Sequence, residues 1–159
     1  MEIVYLTREG LVKIEQELRE LETVVRKRAT ERLEEARKQG DLAENSEYDA
    51  AKEDLAQIDY RIAQIRQKLS NVQILDSKNV GVDQIRILNK VTILDLRLKQ
   101  KFTYTLVPPE EMDIDQGLIS VKSPVGKALL GKKAGEIAEF TVPAGAKKWK
   151  ILKIEAPDT

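Results

Sequence analysis

The chain contains no cysteine and no histidine. Without them there is no disulfide, thiolate nucleophile, imidazole base or zinc-type Cys/His site, and any chemistry must use carboxylates, amines, hydroxyls or borrowed groups. Most enzyme classes fall at once. Aromatic residues are only 4% of the sequence, and proline occurs nowhere before position 108. Apolar runs are short as well: none approaches the roughly 20 residues needed to span a bilayer, and no leader-like basic and apolar opening is present. A cytoplasmic location is therefore expected. What is present in 159 residues is 42% hydrophobic and 34% charged side chains, a balance that folds, with room for one ordinary domain or two small ones.

Net charge is zero, but it is unevenly spread. Residues 1–76 carry 13 basic and 17 acidic side chains, and residues 77–159 carry 14 basic and 10 acidic ones. The first part has Tyr5, Tyr48 and Tyr60 as its only aromatics, and every proline lies in the second. Two architectures share the chain, with domains predicted over 1–76 and 77–159. In the first, Leu11, Ile14, Leu18, Leu21 and Val25 step by three and four, the spacing of a coiled-coil seam, with Thr7 as N-cap. The pattern runs on through Ala29, Leu33 and Ala36, breaks at Gln39-Gly40-Asp41, and resumes as Tyr48, Ala51, Leu55, Ile58, Ile62, Ile65, Leu69 and Val72. Two such helices joined by a short connection hide their seams by folding back into an antiparallel hairpin. About 30 residues per arm make a rod about 45 Å long.

The second part changes period. Short β-branched or aromatic runs at 91–96, 102–107, 118–121, 137–142 and 149–154 read as strands of a bent antiparallel sheet. Between the third and fourth runs, Ser123-Pro124-Val125-Gly126 through Gly131 has the cap, first-turn proline and terminal glycine of one short helix. The whole is α+β: a helical hairpin followed by a compact sheet domain.

Acidic groups crowd the hairpin's connection, Gly40-Asp41-Leu42-Ala43-Glu44-Asn45-Ser46-Glu47-Tyr48. Asp41 or Asn45 can cap the second helix, and Glu44 and Glu47 suit its positive end. Equally, a carboxylate pair three residues apart can converge on a hard divalent cation, although two side chains are too few for an all-protein site. Such a metal would be shared with a partner.

The chain resembles the bacterial GreA/GreB transcript cleavage factors over nearly its whole length. The resemblance rests on Leu6-Thr7-x-Glu9-Gly10, on Ala36-Arg37-x-x-Gly40-Asp41-Leu42-x-Glu44-Asn45-x-Glu47-Tyr48-x-Ala50-Ala51-Lys52-Glu53, and on Ser123-Pro124-x-Gly126-x-Ala128-Leu129-Leu130-Gly131-Lys132. It implies a second domain similar to FK506-binding proteins, without their isomerase activity. That domain docks beside the secondary channel of bacterial RNA polymerase, and the hairpin enters the channel toward the enzyme's active centre. There it stimulates the polymerase's own hydrolysis of backtracked RNA, so the chain is not itself an enzyme.

By the same resemblance, Asp41 and Glu44 help to hold a Mg²⁺ ion shared with the polymerase and position the attacking water. The free protein is expected to bind no metal tightly, and to be a monomer without a membrane partner. Arg37, Asn45, Tyr48 and Lys52 are the candidate contacts to the extruded RNA 3' end or the active centre, against plainer roles as ion-pair partners, cap and packing. Gly40 supplies a permissive backbone. Lower on the first arm, Arg26, Lys27, Arg28 and Arg32 form a basic cluster that either guides the transcript or is a solvated face interleaved with Glu22, Glu31 and Glu35. Lys27 stands where the family often has proline, so the first helix is expected to run straighter. The turn Arg97-Leu98-Lys99-Gln100-Lys101 lacks the glycine and acidic residues expected there. The alternatives are a channel-blocking inhibitor of the same architecture, a coiled-coil adaptor and, last, a prolyl isomerase, which needs an aromatic-lined pocket.

Overall fold

The computed structural model describes residues 2–40 and 45–157. The chain divides into two compact units, Met1–Gln73 and Ile74–Thr159. In the first, strand β1 (Val4–Leu6) leads into helix α1 (Arg8–Glu20), whose first turn is closed by Thr7 Oγ1 accepting from the Gly10 amide at 3.0 Å. A five-residue π-helical segment, Leu21–Val25, joins α1 to α2 (Arg26–Lys38). The return arm is α3 (Ser46–Leu69).

The expected seam is where the arms meet. Ile62 and Ile65 are buried, Leu11, Ile14, Leu18, Leu21, Val25, Leu55 and Ile58 are half-buried, and most of the residues between them are exposed. Partial burial is what two helices alone can achieve, because each seam residue has a neighbour on one side only. Interarm ion pairs among the described residues flank the seam, including Glu17–Arg61, Glu22–Arg66, Arg26–Asp59 and Arg32–Asp54. All are substantially exposed, so they favour the register more than they add stability.

One feature of this unit lies beyond the sequence reading and one corrects it. First, at Leu21–Val25 the Arg26 amide reaches back five residues to the Leu21 carbonyl. Thr23 Oγ1 donates to the Arg19 carbonyl at 2.6 Å, a back-bond that competes within the ladder and accompanies this local widening. Second, Val72 does not end a helix. Helix α3 stops at Leu69, and Val72–Ile74 is strand β2, paired with β1 in a two-stranded sheet.

The second unit holds a five-stranded sheet built from β3 (Lys90–Asp95), β4 (Gln100–Val107), β5 (Leu118–Ser120), β6 (Ile137–Val142) and β7 (Gly145–Glu155), with spatial order β5-β4-β3-β7-β6. Pairing is antiparallel except between β4 and β5, which run parallel, so the sheet is not wholly antiparallel as expected. The reason is the connection across 108–117, which holds two short 3₁₀ turns and carries the chain back before β5 begins. Alternation puts Val91, Ile93, Leu106, Ala138, Phe140, Trp149 and Ile151 on the inner face, closed by Leu129 of α4 (Pro124–Leu129).

Two polar side chains anchor this core. Asn89, fully buried, accepts from the Arg86 amide and donates to the carbonyls of Gly81 and Glu155. Asp95, also buried, accepts from the Arg97 and Leu98 amides and from Trp149 Nε1. The Leu98 amide bond is the main cause that lowers the Asp95 pKa, helped by the bonds from Arg97 and Trp149 and opposed by burial.

Helix α4 begins as its sequence predicts, with Ser123 Oγ accepting from the Gly126 amide at 3.0 Å. Gly126 is buried against β5, where a methyl group would run into the Ser120 carbonyl oxygen and lie 2.8 Å from Val121 Cα. Both neighbours are backbone and yield only if the helix moves off the sheet. Gly126→Ala is thus expected to destabilise the second unit by about 1–3 kcal/mol, read as an earlier denaturant midpoint in the fluorescence of Trp149. An unchanged midpoint would mean that the helix shifts freely.

Candidate functional site

Helix α2 ends at Lys38, and its last turn is tightened by the Gln39 amide donating to the Ala36 carbonyl at 3.3 Å. Gly40 has no positive φ and open space around it. Asp41 and Glu44, the candidate catalytic pair, lie outside the described residues, as do Leu42 and Ala43. Description resumes at Asn45, whose Oδ1 accepts from the Tyr48 amide at 3.1 Å and so caps α3. The same side chain's Nδ2 donates to the Ala36 carbonyl at 2.7 Å, across to the other arm.

Around this link the structure brings together the remaining candidates. Tyr48 is half-buried, and the Lys52 ammonium sits 5.5 Å from its ring centroid, a cation–π contact one turn along α3. Arg37, on the opposing arm, is paired only loosely, at 3.8 Å, with Glu34 of its own helix rather than across the arms. Its guanidinium is 62% exposed and so is accessible to an external anion. The arms approach closely here because Ala36 and Ala51 are the residues buried between them. Beside these alanines a cleft of about 400 Å³ opens, bordered by Arg32, Gln39, Glu47 and Asp54.

Two members of the basic cluster are paired across the arms. Arg26 Nε donates to Asp59 Oδ1 at 2.8 Å, a bond that raises the Arg26 pKa, and Arg32 faces Asp54. Arg28 has no ion pair among the described residues and borders a groove of about 430 Å³ with Leu21, Val25, Ile58 and Arg61. Individually long cations paired across the arms carry less field than the run of letters suggests. No group of three or more acidic side chains is placed to hold a metal ion among the described residues. Asp41 and Glu44, the carboxylates expected to share a metal with a partner, are not among these residues.

In the second unit, the turn that lacked glycine is made without it. Lys99 takes a positive φ of 56°, its amide bonds to the Asp95 carbonyl, and the Asp95 carboxylate satisfies two further amides of the turn. Leu98 at its tip is exposed. The aromatics, spread over three strands in sequence, converge: Tyr104 stacks on Trp149 at 5.3 Å and Phe140 meets it edge-on at 4.8 Å. They pack on one another in the core instead of lining a substrate pocket. That signal was beyond sequence reasoning, since it needs the register of β3, β4, β6 and β7.

Comparison with known proteins covers both units. Residues 4–74 match the family model for the transcription elongation factor N-terminal domain, and residues 79–156 match that for the GreA/GreB C-terminal domain. The transcription elongation factor GreA of Chloroherpeton thalassium is 46% identical over 151 residues, covering 95% of this chain and 96% of that one. GreA of Chlorobium phaeovibrioides is 47% identical over 152 residues, covering 95% and 96%. Among solved structures, GreA factor homolog 1 of Thermus thermophilus aligns over 97% of this chain and 99% of its own, at 28% identity and a TM-score of 0.45.

Proposed function

This chain belongs to the GreA/GreB family of transcription elongation factors, and from that premise we propose that it binds bacterial RNA polymerase and stimulates cleavage of backtracked nascent RNA. The observation that carries the proposal is the joining of the two arms at one end, where Asn45 reaches Ala36 at 2.7 Å. This link holds together the end of α2 and the start of α3, which residues 41–44 connect in sequence. Helix α3, with its 24 residues, measures about 36 Å at about 1.5 Å per residue. That is a reach suited to a recessed active centre.

At that centre Asp41 and Glu44 add carboxylate oxygens to ligands supplied by the polymerase and orient the attacking water. A magnesium ion so held supplies positive charge to the oxygens on which negative charge develops during phosphodiester hydrolysis. Arg37, exposed and loosely paired, meets phosphate oxygens of the extruded RNA. Tyr48 offers a ring edge beside the tip while Lys52 occupies its face.

The test is a stalled, backtracked elongation complex carrying 3'-labelled RNA, incubated with Mg²⁺ with and without the protein. Release of short labelled fragments that depends on the protein is the expected result. Binding to the complex with no released fragment would instead identify a channel-blocking inhibitor.

A further inference from the structure

We infer that Asn45 is a positioning residue whose side-chain amide staples the last turn of α2 to the first turn of α3 and so sets the separation of the chain ends that carry Asp41 and Glu44. The inference rests on the cleavage reading above, because those two carboxylates are what the staple positions.

Asn45 makes two bonds in opposite senses: Oδ1 accepts from the Tyr48 amide at 3.1 Å, and Nδ2 donates to the Ala36 carbonyl at 2.7 Å. The orientation of the amide is not ambiguous, because both partners are backbone groups, one able only to donate and the other only to accept. Capping α3 requires only an acceptor, which Ser, Thr or Asp would provide equally well. The bond to Ala36 requires a donor on the same short side chain, and of the good capping residues only asparagine carries an acceptor and an N–H donor in one rigid group. The second bond is thus the part of the arrangement that helix formation does not explain.

The surroundings suit a short link. Ala36 and Ala51 are buried at this end of the hairpin, where a larger side chain would hold the arms apart. The Ala36 carbonyl already accepts weakly from the Gln39 amide at 3.3 Å, and the Asn45 bond supplies a shorter second partner to an oxygen that the helix end leaves under-satisfied. The link bridges nine positions of sequence. It thereby holds the Gly40 end of the first arm near the start of α3. Displacing a reacting group by ~1 Å can cost on the order of 100-fold in rate.

Asn45→Asp separates the two bonds. It keeps the acceptor that caps α3, loses the donor, and sets a negative charge against the Ala36 carbonyl. Asn45→Ser keeps the cap and lacks a donor that reaches the other arm. For both variants, helicity by far-ultraviolet circular dichroism and affinity for polymerase are expected to match the wild type within about twofold. Maximal cleavage should fall about tenfold, by the sensitivity of rate to placement, and the Mg²⁺ concentration for half-maximal cleavage should rise. Nitroxides at Lys38 and Asp49, on either arm, should show a narrow dipolar separation in the wild type and a broad one in both variants. Wild-type cleavage by Asn45→Asp would overturn the inference. So would lost cleavage with an unchanged narrow separation, which would make Asn45 a direct contact to RNA. If Asp41→Ala also cleaves like the wild type, the cleavage reading itself falls, and that failure is distinguishable because the spin-label separation reports on the staple alone.

Discussion

Replacing Asp41 or Glu44 by alanine should reduce stimulated RNA cleavage on the order of 100-fold or more, while polymerase affinity stays within a few fold. The magnitude follows from removing a charged oxygen ligand from a shared metal site, where even a displaced supporting group costs about 10–100-fold. Affinity should persist because two carboxylates are a small part of the surface a two-domain chain offers. The check is a dose series on backtracked complexes, scored by rate of fragment release at saturating factor, with the variants competed against wild type to establish binding. Raising Mg²⁺ should rescue the single variants partly and the double variant little. The free protein should bind Mg²⁺ no more tightly than millimolar in calorimetry, since it has only part of a coordination sphere. Two variants that cleave like the wild type would reduce the carboxylates to helix-end charges, whose effect is only ~0.3–1 kcal/mol on helix stability.

Shortening the hairpin should abolish stimulation altogether and leave a competitive inhibitor. A matched deletion of Arg26–Arg32 and Asp54–Tyr60 removes seven residues from each arm, or about 10 Å of rod. It removes both partners of two interarm ion pairs together, Arg26–Asp59 and Arg32–Asp54. It also spares the π-helical segment, the buried Ile62 and Ile65, and the Asn45–Ala36 link. A heptad deletion leaves the seam in phase, so helicity should survive with a lower melting temperature. The carboxylates would then stop about 10 Å short of the catalytic centre, far beyond any tolerance for ligand placement. Full-length protein should be displaced by the shortened one without release of RNA fragments. Retained cleavage would show that the tip does not act by reach.

Both experiments draw on features that sequence and structure reveal unequally. Local signals were legible. The three-four stepping of Leu11 to Val25 and of Tyr48 to Leu69, the caps at Thr7, Asn45 and Ser123, and the change of period after the helical arms each depend on residues within a turn or two of one another. The tip motif was legible for the same reason, being a continuous run of side chains with unusual charge for a simple turn.

What the letters did not contain was the meeting of distant groups. Val72–Ile74 continues the helical spacing yet pairs with Val4–Leu6, because a strand partner nearly seventy positions away competes with another turn of helix. Arg26 and Arg32 read as a basic face until Asp59 and Asp54 arrive from the other arm. The parallel pairing of β4 with β5, the convergence of Tyr104, Phe140 and Trp149, and the burial of Asn89 and Asp95 all depend on register set by the whole sheet. At the tip the division falls within a single side chain. Sequence alone offered Asp41 or Asn45 as the cap of the second arm, since such a bond spans only a few residues, and the structure gives that role to Asn45. Only the tertiary structure decided that its other end would reach the Ala36 carbonyl, because the donor has a partner only after the arms have folded together.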